Sequence, residues 1–119
     1  MQKNNNFLCN VEKTKDVFIV RTTGYLNETG GDALKQSFEE GFSLGFQKFL
    51  INFSGTPVIN SLGISKVLEI AEMVVEDRNG KLAFCGLNEL TSGVFKMVGL
   101  LKMGAAFDSE QETLNFLSH

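Results

Sequence analysis

Two kinds of apolar pattern alternate along this chain. Short apolar runs bounded by polar or glycine-containing stretches predict five strands, at 7–11, 17–22, 48–53, 81–86 and 105–107. Between and after them, apolar residues recur every three or four positions, which predicts helices over about 31–46, from 61 to an exit turn at 77–80, over about 88–99 and from 109 to 117.

The order of these elements, β-β-α-β-α-β-α-β-α, predicts an α/β fold. The polar stretch 12–16 suits a hairpin turn, so the first two strands should pair antiparallel. The later strand–helix–strand units should make right-handed crossovers and parallel pairs. We therefore expect a mixed, mostly parallel sheet with an antiparallel N-terminal hairpin and about four helices packed against it.

The helix that begins at 61 has the clearest pattern. Its predicted core stripe is Ile64, Val67, Leu68, Ala71 and Val75, and its predicted outer face is Lys66, Glu69, Glu72 and Glu76. That outer face is either simply solvated or a surface for a partner. Leu62 and Met73 lie off the stripe, so each is either an exposed apolar contact or packs under a neighbouring loop. In the preceding helix, Gly41 and Gly45 are expected to permit close packing on the sheet.

Composition narrows the possible functions. The length of 119 residues suits one domain, and the net charge of −3 argues against a nucleic-acid partner. The N-terminus lacks the apolar segment of a secretory signal, and no apolar run approaches a membrane span. Cys9 and Cys85 are predicted to be buried or half-buried thiols in strands, in a reducing cytoplasmic setting. The one histidine is His119, so a Ser–His catalytic pair or a zinc cluster is not expected.

Ser61 is the most informative polar residue. It lacks the flanking glycines of a hydrolase nucleophile, and no phosphate-binding loop occurs in the chain. It does lie where a helix begins, where unpaired amides and the helix dipole would stabilise a phosphoryl group on its hydroxyl. The alternative from the residues alone is that Asn60 or Ser61 simply caps the helix.

The stretch from Ile51 to Ile64, INFSGTPVINSLGI, resembles the signature of the STAS domain, specifically the anti-sigma-factor antagonists. Further similar segments lie at 24–27 (GYLN), 82–88 (LAFCGLN), 98–104 (VGLLKMG) and 107–112 (FDSEQE), in the family's order. The resemblance spans about residues 7–117, and we expect residues 1–119 to be a single STAS domain.

The resemblance implies a cytoplasmic bacterial switch protein that is neither an enzyme nor dependent on a cofactor. The serine aligned with Ser61 is the family's phosphorylation site, and the kinase is also the anti-sigma factor. The unphosphorylated form binds that partner and frees the sigma factor, and a serine phosphatase resets the switch. The expected partner surface comprises Asn60, Ser61, Leu62, Gly63, Tyr25, Asn27 and Met73, with no nucleic acid and no insertion into a membrane.

Two positions depart from the family pattern. The family usually has Asp before the serine and Asp in the 24–27 loop, where this chain has Asn60 and Asn27. Asn keeps the capping hydrogen bonds, and the smaller negative charge either eases accommodation of a phosphate or removes a group that phosphorylation requires. Two other functions stay open: an unphosphorylated STAS scaffold, in a lipid ABC transporter or a stressosome-like assembly, and a small-molecule or nucleotide-binding regulator.

Overall fold

The computed structural model of the chain describes residues 7–118. The strands are β1 (Leu8–Lys13), β2 (Val17–Thr23), β3 (Lys48–Gly55), β4 (Lys81–Cys85) and β5 (Ala105–Phe107). The helices are α1 (Glu28–Ser43), α2 (Ser61–Ala71), α3 (Glu89–Met97), α4 (Leu100–Met103) and α5 (Glu110–Leu117). A π-helical segment, Glu72–Asp77, continues directly from α2.

The five strands form one sheet in the order β1-β2-β3-β4-β5. β1 and β2 are antiparallel, and every later pair is parallel. The predicted mixed sheet with an N-terminal antiparallel hairpin is therefore confirmed. Each parallel pair is joined through helical segments, as parallel pairing requires.

The two faces of the sheet carry separate cores. Phe18, Phe49 and Phe84 project from β2, β3 and β4 into the larger core, which α1–α4 cover. The alternate residues Ile19, Leu50 and Ala83 project to the other face, where Leu117 of α5 packs on them. Both sides of these strands are thus buried, which explains why the apolar runs are continuous rather than alternating.

Several predicted boundaries were wrong. α1 begins at Glu28, not 31, because the side chain of Asn27 caps it. It ends at Ser43, where Gly45 adopts a φ of +89° and its Cβ position is open, so Gly45 serves the turn rather than close packing. Gly41 does pack closely, since a Cβ there would lie 2.6 Å from Phe49. β3 extends two residues beyond its predicted end at 53, to Gly55.

The helix count and the α2 core stripe also need correction. Gly99, with a φ of +86°, ends the predicted 88–99 helix early, and α4 follows as a separate turn, so residues 7–118 hold five α-helices instead of four. The buried stripe continues from α2 into the π-helical segment at the spacings i, i+3, i+4 and i+7 from Val67, and so lies to one side of the predicted stripe. The fully buried residue there is Val74, while Val75 is half-buried, and Ile70 is buried in α2 where Leu68 is only half-buried.

Candidate functional site

Two loops meet at the C-terminal ends of β2 and β3. The Leu26 amide donates to the Val58 carbonyl at 3.1 Å, and the Asn60 amide donates to the Leu26 carbonyl at 3.0 Å. A parallel bridge between Leu26 and Ile59 accompanies these bonds. The segment that leads into Ser61 is thereby fixed against the segment that leads into α1.

Two further contacts hold the loop that follows β3 and leads into Ser61. The hydroxyls of Thr22 and Thr56, both buried, share a hydrogen bond of 2.7 Å. The side-chain amide of Asn88, which caps α3, donates to the Pro57 carbonyl at 2.9 Å. Because buried hydroxyls that are paired resist rearrangement, we regard this loop as a preformed platform.

Asn27 and Asn60 perform the same task on neighbouring helices. Asn27 Oδ1 accepts from the Gly30 amide at 2.9 Å, and Asn60 Oδ1 accepts from the Gly63 amide at 2.8 Å. Each is the N-cap of its helix. Of the two capping alternatives left open by the sequence, the structure therefore selects Asn60 for α2 and leaves Ser61 as the first helical residue.

Gly63 is needed where α2 passes the 24–27 loop. A Cβ on Gly63 would lie less than 3 Å from the Leu26 carbonyl oxygen, which the Asn60 amide already engages. The absence of a side chain lets α2 begin directly against the loop. Gly63 is buried, so its contribution is to position Ser61 rather than to contact a partner.

Ser61 is exposed. Within residues 7–118, the described contacts engage the amides of Asn60 and Gly63 but give no acceptor outside the helix to those of Ser61 and Leu62. No acidic residue occupies the first turn of α2. Free amide donors and the positive end of the helix dipole therefore adjoin a reachable hydroxyl, an arrangement that favours an anionic group at that hydroxyl.

Exposed apolar side chains border Ser61. Leu62 is 50% exposed, Val58 is 51% exposed and Tyr25 is 44% exposed. We call Tyr25, Val58, Asn60, Ser61 and Leu62 together the Ser61 surface. Val58 was not among the predicted partner residues, because it was assigned only as an apolar residue leading into the segment 60–63.

Three predicted partner residues lie elsewhere or face inward. Met73, in the first turn of the π-helical segment, is half-buried and packs against the larger core, so of the two alternatives the sequence left open for it, packing rather than exposure holds. Asn27 is half-buried and acts as a cap. Gly63 is buried beneath the loop.

The outer face of α2 is divided between two roles. Lys66 pairs with Asp32 of α1 at 2.9 Å, and Lys35 of α1 pairs with Glu69 at 3.2 Å. The hydrogen bond to Asp32 raises the pKa of Lys66. Glu72 and Glu76 are exposed. These interhelical pairs link the middle and the C-terminal part of α2 to α1.

A second polar cluster joins α5 to the sheet. Arg21 donates to both carboxylate oxygens of Glu110, at 2.6 and 2.9 Å, and contacts Glu12 at 2.8 Å. Asn52 donates to Glu110 at 2.7 Å and accepts from the Ser54 amide at 2.8 Å. The bonds from Arg21 lower the pKa of Glu110. No sequence pattern indicates this cluster, because its members are far apart in the chain.

The remaining chemistry is sparse. Cys9 is half-buried in β1 and Cys85 is buried in β4, as predicted, and burial raises the pKa of both thiols, that of Cys9 to about 11. Residues 7–118 hold no group of three or more His, Cys, Asp or Glu side chains suited to a metal ion. Among their helices, none combines the length and apolar character needed to span a bilayer. His119 lies outside the described residues.

Comparison with known proteins adds independent observations. Residues 9–113 match the family model described as the STAS domain. An anti-sigma factor antagonist from Mycobacterium paratuberculosis superposes with a TM-score of 0.84 at 15% identity, covering 100% of each chain. The Bacillus cell fate determinant SpoIIAA in its phosphorylated form gives 0.72 at 18% identity, covering 91% of this chain and 97% of that one. RsbS from Moorella thermoacetica gives 0.79 at 16% identity, covering 92% and 94%. At these identities the likeness concerns the fold.

Proposed function

This chain belongs to the STAS domain family, and on that premise we propose that it is an anti-sigma-factor antagonist that is switched by phosphorylation of Ser61. In its unphosphorylated form it binds an anti-sigma factor that is also a serine kinase, in the cytoplasm. Phosphorylation of Ser61 ends that binding, and a serine phosphatase restores it. The chain is the substrate of these reactions and not their catalyst.

One observation carries the proposal: the side chain of Asn60, not that of Ser61, caps α2. A serine that caps a helix has its hydroxyl oxygen committed to a backbone amide. Because Asn60 performs that task, the exposed Ser61 hydroxyl is available to accept a phosphoryl group. The phosphoserine would then lie beside the amides of Ser61 and Leu62, which supply donors for it.

The apolar character of the Ser61 surface explains how one phosphate would alter binding. A phosphoryl group adds about −1.5 to −2 charges at neutral pH. Burying that charge against a partner beside Leu62, Val58 and Tyr25 would require removing its water without an opposing charge. The fixed loop and capped helix give the phosphate a place without refolding, so the switch is expected to be electrostatic.

The two asparagines are compatible with this mechanism. Both keep the capping hydrogen bonds that an aspartate would make. Both also leave the neighbourhood of Ser61 less negative, which reduces repulsion of a phosphate. Structural relatives offer coarse support, since SpoIIAA of Bacillus has been solved in a phosphorylated form.

Phosphorylation is tested with the purified chain, Mg-ATP and a candidate ATPase-fold serine kinase from the same organism, followed by intact mass. The wild-type chain should gain one phosphate and Ser61→Ala none. Ser65→Ala is the matched control, because Ser65 is exposed one turn later on α2. Phosphate on Ser61→Ala, or its loss in Ser65→Ala alone, would refute the assignment.

Binding to the same kinase is measured separately. Ser61→Asp and Leu62→Ala should each weaken binding by tenfold or more, while Ser65→Asp should leave it within about threefold. Circular dichroism of each variant establishes that the fold is retained. Tight binding by Ser61→Asp would contradict the proposed switch.

Asn60 and Asn27 favour one second candidate, an unphosphorylated STAS scaffold. If a carboxylate at either position is required by the kinase, this chain binds partners without being modified. The scaffold predicts a stable complex with subunits of a larger assembly, such as a lipid ABC transporter or a stressosome-like particle, and no mass change with ATP. Asn60→Asp gaining a phosphate that the wild-type chain does not accept would favour the scaffold.

A further inference from the structure

Helix α3 presents an exposed face that nothing in residues 7–118 covers. Thr91 and Phe95 point into the protein and are buried. On the opposite side, Leu90 is 71% exposed and Met97 is 80% exposed. These are among the largest apolar exposures in the described part of the chain. Each residue lies about one helical turn from Gly93, one before it and one after it, so the two side chains form a contiguous apolar patch.

The centre of this face is Gly93. A Cβ built on Gly93 would meet nothing within 4 Å, so no packing within the chain requires a glycine there. Its φ is not positive, so backbone conformation does not require one either. Glycine in an exposed helix interior costs roughly 0.5–1 kcal/mol relative to Ala. What a central glycine does permit is close approach of another helix.

The residues around Gly93 divide into two edges. At 100° per residue, Leu90 and Met97 lie about 60° and 40° to one side of Gly93, and Glu89 and Lys96 lie about 40° and 60° to the other. Glu89 and Lys96 are both exposed. They lie about 6 Å and 4.5 Å from Gly93 along the axis, in opposite directions, at 1.5 Å per residue.

We propose that α3 binds the α3 of a second copy of this chain, antiparallel, with Gly93 crossing Gly93 on a two-fold axis. That symmetry places the Leu90–Met97 edge of one copy against the same edge of the other, and the Glu89–Lys96 edge against its counterpart, with the two helices running in opposite directions. Glu89 of one copy then lies within about 1.5 Å axially of Lys96 of the other, and Leu90 lies equally near Met97. A parallel pair would instead place Glu89 of one copy level with Glu89 of the other, and the charged edge of each helix against the apolar edge of its partner.

The face is small, so the dimer is weak. A nine-residue helix buries well under the roughly 1,600 Å² of a standard stable interface. The protein should therefore pass from monomer to dimer as its concentration rises rather than form a permanent dimer. This interface uses α3 and is distinct from the Ser61 surface, so its test is independent of phosphorylation.

The first experiment is sedimentation velocity of the full chain over a wide concentration range at low salt. Glu89→Lys and Lys96→Glu should each weaken dimerisation by about threefold or more, and the double reversal should restore it. Met97→Lys should abolish it, whereas Glu76→Lys, also exposed, should leave it unchanged. Dimerisation that ignores the reversals would overturn the pairing.

The second experiment places a thiol on the two-fold axis. Gly93→Cys should form a covalent dimer with a short bis-maleimide linker, and Asp77→Cys, exposed at the end of the π-helical segment, should not. A wild-type chain that stays monomeric throughout, together with absent Gly93→Cys cross-linking, overturns the proposal. If Met97→Lys then weakens binding of the kinase partner, the face belongs to that partner instead.

Discussion

Arg21 on β2 holds Glu110 at the start of α5 through both carboxylate oxygens, at 2.6 and 2.9 Å, across 89 residues of sequence. The pair ties the last helix to the centre of the sheet. Asn52 extends the link to the backbone of Ser54, just before the loop that carries Ser61. One carboxylate thereby links α5 to both β2 and β3 at the end of the sheet that carries the Ser61 loop.

This pair predicts a pH-dependent stability. The pKa of Glu110 is lowered chiefly by its hydrogen bonds to Arg21, so its contribution is complete above the carboxyl's ordinary pKa and is lost as the pH falls through the lowered value. E110Q should lower the free energy of unfolding by about 1 kcal/mol near neutral pH, and the deficit should shrink below about pH 4. Urea unfolding at several pH values measures this.

Glu112→Gln is the matched control for that prediction. Glu112 lies in the same first turn of α5 and is exposed. It experiences the same helix dipole without the bidentate Arg21 contact, so its substitution should cost less. Equal losses of unfolding free energy in the two variants at neutral pH would show that the Arg21–Glu110 pair adds no stability beyond the helix-dipole effect.

Two glycines on helices should respond to alanine in opposite directions. Gly63→Ala places a Cβ against the Leu26 carbonyl and should destabilise the protein by about 1–3 kcal/mol. Gly93→Ala enters open space in α3 and should stabilise it by roughly 0.5–1 kcal/mol. Thermal unfolding at low protein concentration distinguishes them. A neutral Gly63→Ala would mean that α2 does not begin against the loop.

The cap at Asn60 should be separable from its charge. Asn60→Ala removes the acceptor for the Gly63 amide and should cost about 1 kcal/mol of stability. Asn60→Asp retains the acceptor, so its stability should stay within about 0.5 kcal/mol of the wild-type chain. Denaturant unfolding of the three proteins under one condition is the measurement. A loss in Asn60→Asp as large as in Asn60→Ala would argue against the cap.

The buried stripe that runs from α2 into the π-helical segment predicts unequal effects at two adjacent valines. Val74 is fully buried, whereas Val75 is half-buried. Val74→Ala should therefore cost about 2 kcal/mol or more, and Val75→Ala less than half of that. The stripe predicted from the sequence has Val75 in the core and gives the reverse order. Comparing the two unfolding midpoints decides between the two stripes.

Periodicity predicted the parts of the fold that many residues specify together. The buried side chains of Leu34, Phe38 and Phe42 lie on one face of α1 as their spacing indicates. The double burial of β2 follows from its unbroken apolar run. Such patterns survive a local error because several positions repeat the same information.

Features set by single contacts were beyond prediction. Residues 28–30 were predicted to precede the helix, yet the Asn27 cap draws them into α1. Which of two overlapping apolar stripes faces the core has no local signal, since Leu68 and Val75 are as apolar as Ile70 and Val74. At the site, the alternatives left open for Leu62 and Met73 resolve differently: Leu62 is exposed, whereas Met73 is half-buried against the larger core.

The position of α5 makes Cys85 a reporter of local opening. The thiol is 1% exposed in the core beneath α5, where Leu117 of that helix packs. An eight-residue helix at the edge of the fold can detach while the central strands stay paired. The rate at which a thiol reagent labels Cys85 in the native protein therefore measures how often α5 detaches from the sheet. This motion leaves Ser61 in place.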